Sequence, residues 1–345
     1  MTTPARTSPT STPTGRQRTL DFLAGIPTDR APFHPIVMRW AAKHAGIKYR
    51  DFCLVPQSKC RAMIQCAEDF GADWVTVMSD PYAEAEAFGI QVEYQEDDLP
   101  LDLGHYDSVE KLLALEPYEV MANRRTAGRV AEIREFRKQI GDRYFVVGWV
   151  EGPVAEYADL RGMTDASYDF MDEPEKVGMV MDMIVVAAKR FITCQIEAGA
   201  DCIGIGDAFG SQIGPALFRE LAFAREKSLV DHIHGLGAKA KLHICGNTSA
   251  ILPDMIATGA DIIDVDHLVP TLVPFVSLLA PHQVFSGKTD PVSVIQNSTP
   301  EKIIAAALET YRETNGRCII SGGCEITPGT TAENMEALGQ AARQT

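Results

Sequence analysis

Three residues in the last third of the chain have types and spacing suited to chemistry. His243 and Cys245 stand in KLHICGN, and Cys324 in IISGGCEITPG. Two thiolates and an imidazole are three protein ligands for zinc, one fewer than a closed structural site uses, so a fourth position is open to a reacting group. A hydrolase keeps its zinc electron-poor with His and carboxylate ligands, whereas two thiolates cancel the dication's charge. Such a centre suits a substrate thiol, normally of pKa about 8.5, bound as thiolate, and so alkyl transfer to sulfur rather than hydrolysis. Zinc deaminases also use His and Cys, but they need His-x-Glu and Pro-Cys-x-x-Cys, and this chain has no Cys-x-x-Cys.

For these residues to meet, a scaffold must bring them together. Short β-branched runs alternate with longer helical stretches and predict eight strands, at about Phe33–Met38, Trp74–Met78, Tyr144–Trp149, Cys202–Ile205, Ala240–Ile244, Ile262–Asp266, Gln283–Ser286 and Cys318–Ser321. Eight strands separated by helices predict an α/β fold, a (β/α)8 TIM barrel, with an N-terminal elaboration over about residues 40–135 that is too long for one βα unit. From Glu175 to Glu197, Val177, Met181, Ile184, Val185, Ala188 and Ile192 recur at three- and four-residue steps, as on one buried helical face.

Residues two apart in a strand share a face, so His243 and Cys245 both project toward the barrel mouth. Asp266 ends the sixth expected strand and Cys324 follows the eighth, which puts all four at the C-terminal rim where barrel enzymes keep their chemistry. Asp266 is then a fourth, displaceable oxygen ligand, a partner of His243, or a loop acid, with Asp264 as its competitor. Taken alone, His243 and Cys245 also fit an interior histidine and a small apolar filler.

Other rim residues form a second group. Asp80 in VMSDPYAEAEAFG and Asp207 in GIGDAFGSQIGP follow the second and fourth expected strands, where a barrel carboxylate reads as catalytic, while Glu84 and Glu86 read as helix surface. Glu151 and Tyr157, about the Gly152-Pro153 turn, and Lys288 after the seventh strand are candidates for holding substrate, the lysine for an anionic tail. The sequence has no nucleotide loop and no GxSxG.

Composition narrows the partners. Forty-seven acidic against 32 basic side chains give a net charge of -15, which argues against nucleic acid or an anionic membrane. Eight cysteines in a chain of 345 residues, without a signal peptide or an apolar run of ~18 residues, point to free thiols and a cytoplasmic protein. The Ser-, Thr- and Pro-rich opening predicts a disordered tail over residues 1–18, followed by one barrel domain over 19–345.

The arrangement resembles the uroporphyrinogen decarboxylase superfamily and, within it, the zinc-dependent cobamide methyltransferases. LAGIPTDRAPFHPIV resembles the family's Asp-Arg-x-Pro start, SDPYAEAEAFGI its acidic second-strand loop, and AGADCIGIGDAFGSQIGPALFRE its fourth-strand signature. Where the decarboxylases carry Gly-His-Gly, this chain reads Gly322-Gly323-Cys324, and the methyltransferases' His-x-Cys-Gly stands here as His243, Cys245 and Gly246. MRWAAKHAGIKYRDF keeps Arg39 but lacks the second Arg of the decarboxylase loop. The resemblance implies zinc held by His243, Cys245 and Cys324, with Asp266 at a position where an acid completes the coordination. It implies methyl transfer between a corrinoid, supplied in trans by a carrier protein, and a small substrate, here a thiol acceptor. The alternatives are the first half-reaction, from an ether or amine donor to cob(I)amide, and decarboxylation of uroporphyrinogen.

Overall fold

The computed structural model describes residues 12–345. Its strands are β1 (Trp74–Thr76), β2 (Val92–Glu93), β3 (Leu101–Asp102), β4 (Phe145–Glu151), β5 (Cys202–Gly206), β6 (Lys239–Ile244), β7 (Ile262–Val265), β8 (Val284–Thr289) and β9 (Cys318–Gly322). Seven of these form a parallel sheet in the order β1-β4-β5-β6-β7-β8-β9, and β2 and β3 pair antiparallel outside it. Helices connect successive parallel strands, as the expected TIM-like architecture requires.

The first expected strand, Phe33–Met38, is reduced to a single parallel bridge between Phe33 and Ile320. Pro32 and Pro35 flank it and have no N–H to give to a ladder. The segment still lies between the two edges of the sheet. His34 N donates to Ile320 O at 3.0 Å, Ile320 N to Pro32 O at 3.0 Å, and Asp73 N to Phe33 O at 2.9 Å. The N-terminal elaboration takes the form of helices Arg39–His44, Tyr49–Leu54 and Pro56–Phe70 before β1, with the β2/β3 pair and helix Arg124–Ile140 before β4.

Residues 1–11 of the expected tail lie outside the described residues, while a helix begins at Gly15, within its last residues. At the start of this helix, Gly15–Leu23, Thr14 Oγ1 accepts from Gln17 N at 3.1 Å. Arg18 is buried in ion pairs with Asp29 at 2.7 Å and Asp73 at 2.6 Å, which ties this helix to the start of β1. Leu23 joins Trp74, Phe145, Val147, Cys202, Ile262, Val284 and Ile319 in an apolar cluster. Among the described residues no helix is long and apolar enough to cross a membrane.

Parallel register decides what faces what inside the sheet. One row runs Glu151, Gly206, His243, Asp264, Ser286, and the row one pleat below runs Trp149, Gly204, Lys241, Ile262, Val284. The helix predicted from Glu175 spans Pro174–Glu197, and all six of its periodic apolar residues are buried.

Candidate metal centre

His243, the last residue but one of β6, is buried, and Cys245 follows the strand's end on the same face. Cys324 arrives from the loop after β9. The three ligand atoms lie within 4.8 Å of one another, with His243 Nε2 3.1 Å from Cys245 Sγ and the two Sγ atoms 3.7 Å apart. Two thiolates at the usual Zn–S length on a tetrahedral ion stand about 3.8 Å apart, and an imidazole nitrogen and a thiolate about 3.6 Å. The donor set and the sulfur spacing therefore fit zinc, while the His–Cys edge is about half an ångström tighter.

The opposite side of the His243 ring faces a buried carboxylate at ion-pairing distance. Asp264, directly across in register on β7, places Oδ2 2.9 Å from His243 Nδ1, and the same oxygen lies 2.8 Å from Lys241 Nζ. Burial disfavours a charged His243, but Asp264 and Cys324 outweigh it and raise the imidazole to about 9. The Cys245 thiol, and then His243, pull Cys324 down to about 4 despite burial, and Cys324 in turn pushes Cys245 up. The two thiols and the imidazole therefore titrate as a coupled set, and a metal bound there would displace their protons.

The expected fourth ligand is not brought into this cluster. Asp266 Oδ2 accepts from Gly246 N at 2.9 Å, and its Oδ1 accepts from Leu268 N at 3.0 Å beside His267 Nδ1 at 2.6 Å. Its carboxylate ties the loop after β7 to the loop that carries Cys245. Gly323 permits a similar approach from the third loop, since a Cβ there would lie 2.6 Å from His267 N.

Of the other expected site residues, Asp207 donates its backbone N–H to His243 O at 2.9 Å, and Glu151 is linked to the cluster through Trp149. Glu151 accepts from Trp149 Nε1 at 2.9 Å, and the Trp149 ring stands 6.5 Å from the His243 ring, centroid to centroid. Burial, and then Glu84, push Glu151 well above the ordinary carboxylate range.

Asp80 is buried and held by Arg125 Nη2 at 2.6 Å, Ser79 Oγ at 2.7 Å and Tyr82 N at 3.1 Å. Against the cost of burial, Arg125 keeps it well below the usual carboxylate range. Asp207 is also fully buried. It accepts from Ala155 N at 2.6 Å in the first turn of helix Pro153–Arg161, and burial pushes its carboxyl up to about 6. Tyr157 donates to Asp169 at 2.9 Å, away from the cluster, and Lys288 Nζ pairs with Glu313 on helix Pro300–Glu313 at 3.0 Å. Both side chains are engaged by acids of other segments.

Lys241 and Trp149 were not singled out by the sequence. The signal for Lys241 is the strand alternation that already paired His243 with Cys245, since residue 241 precedes them on the same face. For Trp149 it is the Gly-Ile-Gly of β5. A Cβ at Gly204 would lie 2.3 Å from the Trp149 ring, so the indole lies across the space a side chain would fill.

Comparison with known proteins bears on the family and the fold. The model of the uroporphyrinogen decarboxylase family matches residues 14–345. The chain is 29% identical to a methylcobamide:CoM methyltransferase of Methanosarcina mazei, over 79% of this chain and 80% of that protein. It is also 26% identical to a uroporphyrinogen decarboxylase of Prochlorococcus marinus, over 82% of this chain and 81% of that one. A solved structure of a methyltransferase from Methanosarcina mazei superposes with a TM-score of 0.87 at 23% identity, covering 96% of this chain and 98% of that chain.

Proposed function

The chain belongs to the uroporphyrinogen decarboxylase family, and we propose that within it the protein is a zinc-dependent, corrinoid-dependent methyltransferase with a small thiol as methyl acceptor. The corrinoid would be carried by a partner protein, since the sequence has no cobalamin-binding Asp-x-His-x-x-Gly. The reading is carried by the meeting of His243, Cys245 and Cys324 within 4.8 Å at the C-terminal ends of the strands. Similarity alone does not decide it, because relatives of both activities match at comparable identity.

His243 Nε2, Cys245 Sγ and Cys324 Sγ would hold the metal. Zinc bound there supplies the positive charge that keeps a substrate thiol deprotonated and nucleophilic at neutral pH. Asp264 keeps the His243 ring turned with Nε2 toward the sulfurs. Trp149 and Glu151 flank the cluster on the β4 side, where the indole excludes water and the carboxyl offers a polar contact to the acceptor. Bringing acceptor sulfur and methyl donor into line at one fixed point is the main contribution of the protein frame.

The decarboxylase reading is weaker, because Asp80, the aspartate of the loop that resembles the family's acidic second-strand loop, has its carboxylate engaged by Arg125. The test is to mix the zinc-loaded protein with methylcobalamin and candidate thiols, homocysteine and coenzyme M among them, and to follow the conversion to cob(I)alamin spectroscopically. Thiol-dependent demethylation that disappears on chelation is expected. Failure with every thiol, but methylation of cob(I)alamin from an ether or amine, would reverse the direction of transfer. Metal-independent decarboxylation of uroporphyrinogen would overturn the proposal.

A further inference from the structure

We infer that Lys241 is a positioning residue of the metal centre: its ammonium anchors Asp264, and Asp264 fixes the Nδ1 side of His243 so that Nε2 is presented to the two sulfurs. The inference rests on the reading of His243, Cys245 and Cys324 as metal ligands.

A lysine inside a barrel calls for an explanation, since Lys is almost never fully buried without a partner. Lys241 is 1% exposed and stands on β6 two residues before His243, on the same face. Its Nζ is 2.8 Å from Asp264 Oδ2, the oxygen that lies 2.9 Å from His243 Nδ1. One carboxylate oxygen therefore lies within ion-pairing distance of both groups, although neither contact has the alignment of a hydrogen bond.

The ammonium is confined from the sides too. It lies 5.9 Å from the Trp74 ring centroid and 6.0 Å from that of Trp149, within the range at which an aromatic face attracts a cation. Trp149 reaches this position because its neighbour in register, between it and Lys241, is Gly204. The glycine, the indole and the lysine are thus parts of one arrangement.

Charge explains why a cation belongs there. A zinc dication, two thiolates, one carboxylate and one ammonium sum to zero around a neutral imidazole. Without the ammonium the buried assembly is a net anion, and a buried carboxylate without its counter-charge is strongly disfavoured. Asp264 would leave its place against Nδ1, and a histidine ligand that loses its outer partner typically loses metal affinity by about tenfold or more.

The experiment uses the full chain and the variants Lys241→Met, Asp264→Asn and the double variant. Zinc affinity is read by competition with a chelator, the ligand field by the absorption of the cobalt(II)-substituted protein, and folding by thermal melting. Each single variant is expected to weaken zinc binding about tenfold and to shift the cobalt bands. The double variant should be no weaker than Asp264→Asn alone, because Lys241 acts through Asp264. Should Lys241→Met not fold, Lys241→Gln is read in the same way. A folded Lys241 variant with wild-type zinc affinity and an unchanged cobalt spectrum would overturn the inference and leave the site reading standing. A wild-type chain that binds no zinc would sink both.

Discussion

The Sγ atoms of Cys245 and Cys324 lie 3.7 Å apart across a sequence separation of 79 residues. They come from loops after β6 and β9, and what joins them is the loop after β7, through Asp266 on Gly246 and the close packing of Gly323 on His267. The cluster is therefore a product of two contacts among three loops on the strand frame.

Changing either cysteine to serine should remove stoichiometric zinc and reduce methyl transfer at least about a hundredfold, since the hydroxyl does not ionise as the thiol does. Elemental analysis and the methylcobalamin assay read the two effects. Melting temperature should change little, because the apolar clusters are elsewhere. A serine variant that keeps a full zinc equivalent would remove that cysteine from the ligand set.

Asp266→Asn distinguishes a loop tie from a ligand. One amide oxygen can replace only part of the acceptor set that Gly246 N and Leu268 N now use. Zinc content is expected to remain near one per chain, with a stability loss of about 1 kcal/mol in urea unfolding. Loss of the metal in a stably folded variant would make Asp266 a ligand after all.

Asp80→Ala leaves the buried Arg125 guanidinium without its carboxylate. A loss of about 3–5 kcal/mol is expected, the cost of breaking a buried pair from one side. The urea midpoint measures it. An unchanged midpoint with abolished turnover would instead restore Asp80 to the chemistry.

Glu84 supplies a pH test. Burial, opposed by Arg129, pushes its carboxyl up to about 7, while burial and Glu84 itself raise Glu151, Glu156 and Asp159. As pH rises from the ordinary glutamate value toward 7, the unfolded chain gives up this proton and the folded chain keeps it. Stability must then fall with pH across that window, by about 1.4 kcal/mol for each unit of difference. Glu84→Gln should flatten the decline between pH 5 and pH 8, read from urea midpoints. Parallel profiles for variant and wild type would show that Glu84 does not keep its proton in the fold.

Much of this was legible before any coordinates. Strand alternation put His243 and Cys245 on one face, and the apolar steps of residues 177–192 marked a buried helix face. The barrel lost one expected strand to a single bridge because Pro32 and Pro35 cannot donate to a ladder. The helix that begins at Gly15 is not legible in the Ser-, Thr- and Pro-rich opening, because its Thr14 N-cap and its buried Arg18, paired with two distant aspartates, look like loop composition in isolation.

By itself the sequence determined the residue types, their strand ends and hence the rim on which they gather, because periods of 2 and 3.6 are local properties of the chain. Only the tertiary structure decided which acid meets which base. Asp264 and Asp266 have the same charge and stand two residues apart, on the same face of the chain. Register across β6 and β7 sets Asp264 against His243 and Lys241, and turns Asp266 to backbone N–H groups one pleat further on. The same holds for Asp80, Tyr157 and Lys288, whose partners Arg125, Asp169 and Glu313 come from other segments. A carboxylate's role depends on the cation or donor that reaches it, and in a barrel those contacts are long-range.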